Sequence, residues 1–138
     1  LASEMTPFVK GLNWQIDLVI PIPLGRQRLR ERGYNQVGMI ARPLALALGM
    51  RYAPNGLMRR KETRSQVGLT RVERKANVQH AFQAGAGVNG KAVLIMDDVS
   101  TTGSTLSAGA AALYSAGARD VYALTVARAL PQQGLMHV

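Results

Sequence analysis

The chain has 138 residues, 47% of them hydrophobic, enough for one domain with its own core and too few for two. Cysteine is absent, which excludes disulfides and cysteine metal sites within the segment. The formal net charge is +9 and unevenly placed: residues 26–75 hold 13 basic against 3 acidic side chains, and the remainder holds 4 against 5. A basic segment in an otherwise near-neutral chain points to a polyanionic ligand, and pyrophosphate and nucleic acid both fit.

No apolar run is long enough to span a bilayer. The first ten residues carry Glu4 and Thr6-Pro7 and no long apolar core, so no signal peptide is expected and cytoplasm is the expected compartment. Leu1 in first position is read as a native start lying upstream. Residues 1–15 are read as an N-terminal edge segment, with Phe8 and Trp14 covering one side of the core.

Asp17 to Ile22 predicts the first strand, ended by Pro21 and Pro23, neither of which can donate to a sheet ladder. The next stretch, Pro23 to Asn35, places Arg26, Arg28, Arg30 and Arg32 at every second position. Guanidinium forks suit phosphate oxygens. Some of these arginines are expected on phosphate and the rest in water, the alternative being a solvated basic turn.

Asn35 to Leu48 predicts a helix with Val37, Ile40, Ala41, Leu44, Ala45 and Leu48 on one apolar face. Asn35 is its expected N-cap, Gly49 its stop, and Pro43 removes one hydrogen bond from its middle. Short strands are expected at Met50 to Ala53 and Leu57 to Arg59, with a turn between them. The polar, arginine-rich stretch from Arg59 to Asn77 is long for a compact domain and reads as a functional lid, with helix over Arg71 to Gln79. Ala84 to Gly90 is a glycine-rich turn.

The most informative stretch is Val93 to Thr105. A short apolar run, β-branched at Val93 and Ile95, predicts a strand buried on both faces. Asp97 and Asp98 follow at its carboxyl end, the edge where open α/β sheets bind ligands. Adjacent carboxylates repel unless something uses them, and sugar hydroxyls or hydrated Mg²⁺ would do so. Ser100, Thr101, Thr102, Ser104 and Thr105 then surround Gly103. A helix beginning there would aim backbone N–H groups at a phosphate. One strand–loop–helix unit can thus hold a ribose and its phosphate. The alternatives are a Ser/Thr-rich helix cap, or a Walker-B-like strand, for which the required G-x-x-x-x-G-K-[ST] partner is missing.

Residues 104–116 predict a small-residue helix with Leu106, Ala110 and Leu113 inward and Gly117 as its cap. Residues 121–127 are strand-like and 131–138 read as a frayed tail. His80 and His137 have no metal-ligand spacing.

Val93 to Thr105 resembles, over its full length, the phosphoribosyl-pyrophosphate (PRPP) signature of type I phosphoribosyltransferases. The residues Arg32-Gly33-Tyr34-Asn35-Gln36, then Thr63, Gln66, Leu69, Arg74, Asn77 and Ala81-Phe82, narrow the resemblance to the ComF/GntX family, bacterial proteins linked to competence and to use of external DNA. It covers roughly residues 17–130. The chain departs from the family in two ways. The family's cysteine-rich, zinc-binding segment ahead of the domain is absent from this sequence, as a native start lying upstream implies, and Arg64-Ser65 replace prolines of the lid motif.

The resemblance implies an α/β fold: a single domain over residues 1–138, a parallel sheet of the type I phosphoribosyltransferase kind, and helices on both faces. It implies PRPP binding by Asp97, Asp98, Ser100, Thr101, Thr102, Gly103, Ser104 and Thr105. The two aspartates would act in catalysis and hold Mg²⁺ indirectly. Pyrophosphate would sit on Leu24, Gly25, Arg26, Arg28 and Arg32 after the first strand. Thr63, Arg64, Gln66 and Arg74 would belong to the lid. The implied activity is glycosyl transfer at ribose C1 with release of pyrophosphate to an unnamed acceptor. The competing expectation is a non-catalytic PRPP-sensing or DNA-binding protein on the same fold, using the basic segment. Self-association is left open.

Overall fold

A computed structural model describes residues 15–24, 37–60, 70, 81–97, 103–125 and 134–137. Its elements in chain order are β1 (Leu18–Pro21), α1 (Gly38–Leu48), β2 (Arg51–Tyr52), β3 (Leu57–Arg59) and β4 (Phe82–Ala84). A 3₁₀ turn (Ala86–Val88), β5 (Ala92–Asp97), α2 (Ser104–Ser115), β6 (Asp120–Thr125) and β7 (Gly134–His137) complete them. The main sheet has five strands in the order β2-β1-β5-β6-β7.

The first four strands of that order are mutually parallel, and β7 pairs antiparallel with β6. Alternation along the strands divides the core into two. Leu18, Ile20, Val93, Ile95, Val121 and Ala123 pack with Leu106, Ala110 and Leu113 of α2. Val19, Leu94, Met96 and Leu124 pack with Ala41, Leu44 and Ala45 of α1 on the other face. The expected inner residues of both helices are therefore the buried ones, and the chain is an α/β fold with helices on both faces.

Both helices stop on glycine. Gly49 takes φ 68°, and Met50 N–H returns to Ala45 O at 2.8 Å. Gly117 takes φ 95°, and Ala118 N–H returns to Leu113 O at 3.0 Å. These are Schellman closures, in which a left-handed residue lets the chain satisfy the last carbonyls and turn straight into the next strand. Pro43 lies within α1 on its exposed side, where water can reach the carbonyl it leaves unbonded. The expected N-cap Asn35 lies outside the described residues, and the residue preceding α1 is Val37, with no side-chain cap.

Two features add detail to the expectations and one expectation is corrected. Pro21 is the last residue of β1 and is buried, in register with Met96. Ile22 N–H still donates to Met96 O at 2.8 Å. Strand alternation turns Pro21 to the β2 side, where registered pairing ends at Val19↔Tyr52, so the missing N–H costs no ladder bond. Next, Phe82–Ala84 is a strand, paired antiparallel with Leu57–Arg59 in a second, two-stranded sheet. Its Phe82, with Leu57, is buried in the α2-side core. Finally, Gly134–His137, within the stretch read as a tail, pairs with β6 and satisfies a strand edge. Phe8, Trp14 and residues 71–79 lie outside the described residues.

The amino-terminal edge of the sheet is tied by one side chain. Asp17 Oδ2 accepts the Ala92 N–H at 2.8 Å, while the Asp17 backbone bonds Ala92 O and Arg51 N. Arg119 stands 3.8 Å from the same carboxylate, but both side chains are about half exposed and the ion pair adds little. Asp17→Ala removes the acceptor of a partly buried N–H and is expected to cost about 1–3 kcal/mol in urea unfolding. Asp17→Asn, which keeps a side-chain oxygen, should cost less. At alkaline pH, burial pushes the Tyr52 phenol above its ordinary value, opposed in part by the positive Arg42. The folded state therefore holds the proton that the unfolded chain releases near pH ~10, and stability falls as pH rises from there through the folded value. Thermal melts of Tyr52→Phe should show a shallower alkaline decline than the parent.

Candidate active site

The parallel order fixes which ends of the strands meet. α2 joins β5 to β6, which are parallel, so it must run back from the carboxyl edge to the amino edge. Two bonds place its C-terminal end there: Gly90 N to Gly117 O at 2.8 Å and Arg119 N to Lys91 O at 2.8 Å. The N-terminus of α2 consequently lies at the carboxyl edge. The same holds for α1, which leads from β1 back to β2, whose first residue bonds Asp17.

Because α1 and α2 cover opposite faces, β1 and β5 flank the point where the winding direction reverses. Crevices of open α/β sheets form at such a point, outside the carboxyl ends of the strands. The described residues there are Pro23 and Leu24 after β1, Asp97 at the end of β5, Thr125 at the end of β6, and Gly103 and Thr105 where α2 begins.

Asp97 is half-buried and directly in register with Thr125, which is 7% exposed and the one buried polar residue among the described ones. Thr125 is a site-edge residue that the sequence reading passed over. A strand signal over residues 121–127 was available, but the register that puts Thr125 level with Asp97 comes from the assembled sheet.

Gly103 has φ 76° and ψ −1°, left-handed backbone that a side chain resists. It immediately precedes α2, and Ser107 N bonds its carbonyl at 2.9 Å. The first turn of α2 contains no acidic residue, so the positive end of the helix faces this edge unopposed from within the turn. Thr105 is half-buried and Leu24 likewise.

Asp98, Ser100, Thr101 and Thr102, the expected pyrophosphate residues Gly25, Arg26, Arg28 and Arg32, and the expected lid residues Thr63, Arg64, Gln66 and Arg74 lie outside the described residues. So does the Ser104 side chain, whose backbone opens α2. Of the basic segment, Arg42, Arg51, Arg59 and Arg60 are described and exposed.

Of the two aspartates expected to hold Mg²⁺ indirectly, Asp97 is described; it is a hard-oxygen donor at this edge, and Mg²⁺ is commonly held through one or two carboxylates plus ligand phosphates. Among the described residues no group of three or more His, Cys, Asp or Glu side chains converges. No helix among the described residues is long and apolar enough to cross a membrane.

The arrangement is the type I phosphoribosyltransferase fold. It is similar to the glutamine PRPP amidotransferase of B. subtilis complexed with ADP and GMP, at a TM-score of 0.58 and 24% identity over 82% of this chain and 23% of that one. A second solved structure, described as the allosteric regulatory enzyme of purine biosynthesis, matches 91% of this chain and 25% of its own length with a TM-score of 0.54 and 20% identity. No protein-family model matches the chain.

Sequence relatives are more specific. The DNA utilization protein YhgH of Escherichia coli O6:H1 is 35% identical over 114 residues, 83% of this chain and 50% of the relative. Competence protein F of Haemophilus influenzae is 34% identical over 116 residues, 82% and 51% respectively. Competence protein ComFC of Streptococcus pneumoniae is 32% identical over 109 residues, 79% and 47%. The chain is similar to these competence and DNA-utilization proteins over most of its own length, and it spans about half the length of the curated relatives it matches.

Gly103→Ala forces a Cβ into left-handed backbone and is expected to cost about 1–2 kcal/mol. Thermal unfolding measures that loss. Substitution of the exposed Ser107 in the same helix should stay within about 0.5 kcal/mol.

Proposed function

We propose that this domain binds PRPP with Mg²⁺ and supports displacement of pyrophosphate at ribose C1. The observation that carries the reading is the β5–α2 unit: a buried strand ending in Asp97, a left-handed glycine, and a helix N-terminus, all at the carboxyl edge of a type I phosphoribosyltransferase fold. Asp97 with Asp98 would hold the ribose 2- and 3-hydroxyls. Ser100, Thr101, Thr102, Ser104 and Thr105, with the first N–H groups of α2, would hold the 5-phosphate. Leu24 and Gly25 would open the pyrophosphate loop, and Arg26, Arg28 and Arg32 would supply guanidinium forks. Thr63, Arg64, Gln66 and Arg74 would lie over the bound ligand and exclude water.

The chemistry follows from that arrangement. The C1–O bond breaks and its electron pair leaves with pyrophosphate. Positive charge grows on the ribose ring, as in glycoside hydrolysis. Carboxylates beside the ring stabilise this charge, and arginines stabilise the departing anion. Bound Mg²⁺ would supply further neutralisation of the pyrophosphate oxygens. A nucleophile of the acceptor then forms the new bond to C1 and loses its proton. The names of the relatives support a role in competence or in use of DNA for the protein that carries this domain.

The exposed arginines Arg42, Arg51, Arg59 and Arg60 favour one second reading, nucleic-acid binding by the basic segment. Calorimetric titration of PRPP with and without Mg²⁺, beside a short DNA duplex, separates the two. Mg²⁺-dependent PRPP binding that Asp97→Asn weakens at least tenfold is the expected result. DNA binding that falls steeply with salt, with no PRPP heat, would support the alternative.

A further inference from the structure

Arg59 stands at one end of the β3–β4 pair, in register with Phe82. Its Nε donates to Pro23 O at 2.8 Å, 36 positions away in the chain. Its guanidinium carbon lies 5.0 Å from the Phe82 ring centroid, within range of a cation–π contact. Phe82 is only 3% exposed, so the ring is a fixed platform. Directly after Arg59, Arg60 N bonds Ala81 O at 2.9 Å and closes the base of the two-stranded sheet.

On the other side, Pro23 follows Ile22, whose N–H is bonded to Met96 O one residue before Asp97. A continuous line of contacts thus runs from Phe82 through Arg59 and Pro23 to Ile22 and Met96. It joins the small sheet to the carboxyl edge of the main one. Arg59 is exposed, and an exposed hydrogen bond contributes little to global stability. What such a bond can do is fix where a backbone leaves a strand. Pro23 has a locked φ and no N–H, so its carbonyl is the handle it offers to a donor.

We propose that Arg59 is a positioning residue: by holding the Pro23 carbonyl against the β3–β4 sheet, it sets the exit of the chain from β1 beside Asp97. The ligand consequence rests on the phosphoribosyl reading above, whereas the tether rests on the geometry alone. Two substitutions separate the hydrogen bond from the charge. Arg59→Gln places an amide N–H the same number of bonds from the backbone as Nε and removes the charge. Arg59→Lys keeps the charge and puts a methylene where Nε was.

Two readouts are measured on both variants: calorimetric affinity for PRPP with Mg²⁺, and hydrogen exchange at the amides of Ile22 and Arg60. Arg59→Lys is expected to weaken PRPP roughly tenfold and to speed exchange at both amides, with a melting shift of no more than about 2 °C. Arg59→Gln should retain more of the affinity and of the protection than Arg59→Lys. Retention by Lys and loss by Gln would overturn the proposal in favour of a charge effect, and unchanged exchange in Arg59→Lys would also overturn it. If the parent protein binds no PRPP, the phosphoribosyl reading falls by itself, and the exchange comparison still decides the tether.

Discussion

The fold depends on the double burial of β5. Val93 and Ile95 face α2, Leu94 and Met96 face α1, and all four are inaccessible to solvent. A strand covered on both sides has no solvent face into which it can slip, so its register with β1 and β6 is strongly determined. That register brings Pro21 level with Met96 and Thr125 level with Asp97. The first carboxylate after the apolar run is thus placed at an edge by the packing and register of that run.

The two edges of the sheet differ in chemistry. At the amino edge, short returns close on backbone bonds and on Asp17, which serves β1, β2 and β5 together. At the carboxyl edge, the chain leaves the sheet through segments rich in arginine, serine and threonine. The residues that hold the sheet together are therefore largely not those of the proposed ligand site. Arg59 is the described side chain that crosses between the small sheet and the chain leaving β1.

Much of this was legible in the sequence because it is periodic. The apolar face of α1 follows the helical repeat, and the buried run of β5 ends in an acid at a recognisable place. Glycines 49 and 117 mark the helix stops. The misses have a common physical origin. Phe82–Ala84 is too short to show a period, and its pairing depends on Phe82 and Leu57 meeting beneath α2. β7 follows from an edge of β6 that needs a partner, a property of the assembled sheet. Arg59 is one basic residue among many; the distant Pro23 carbonyl and the Phe82 ring distinguish it. Thr125 required the register as well as the strand.

The Schellman closures at Gly49 and Gly117 have an evolutionary consequence. Each helix passes into its following strand through only a few residues, and both linkers carry backbone bonds to neighbouring strands or turns. An inserted residue there would rotate or displace a strand and expose its buried set. Length variation is thus channelled to the opposite edge, where the chain between β1 and α1, or between β3 and β4, can lengthen without disturbing the sheet register. Loop length at one end can therefore change while the closures at the other end hold the strands in place.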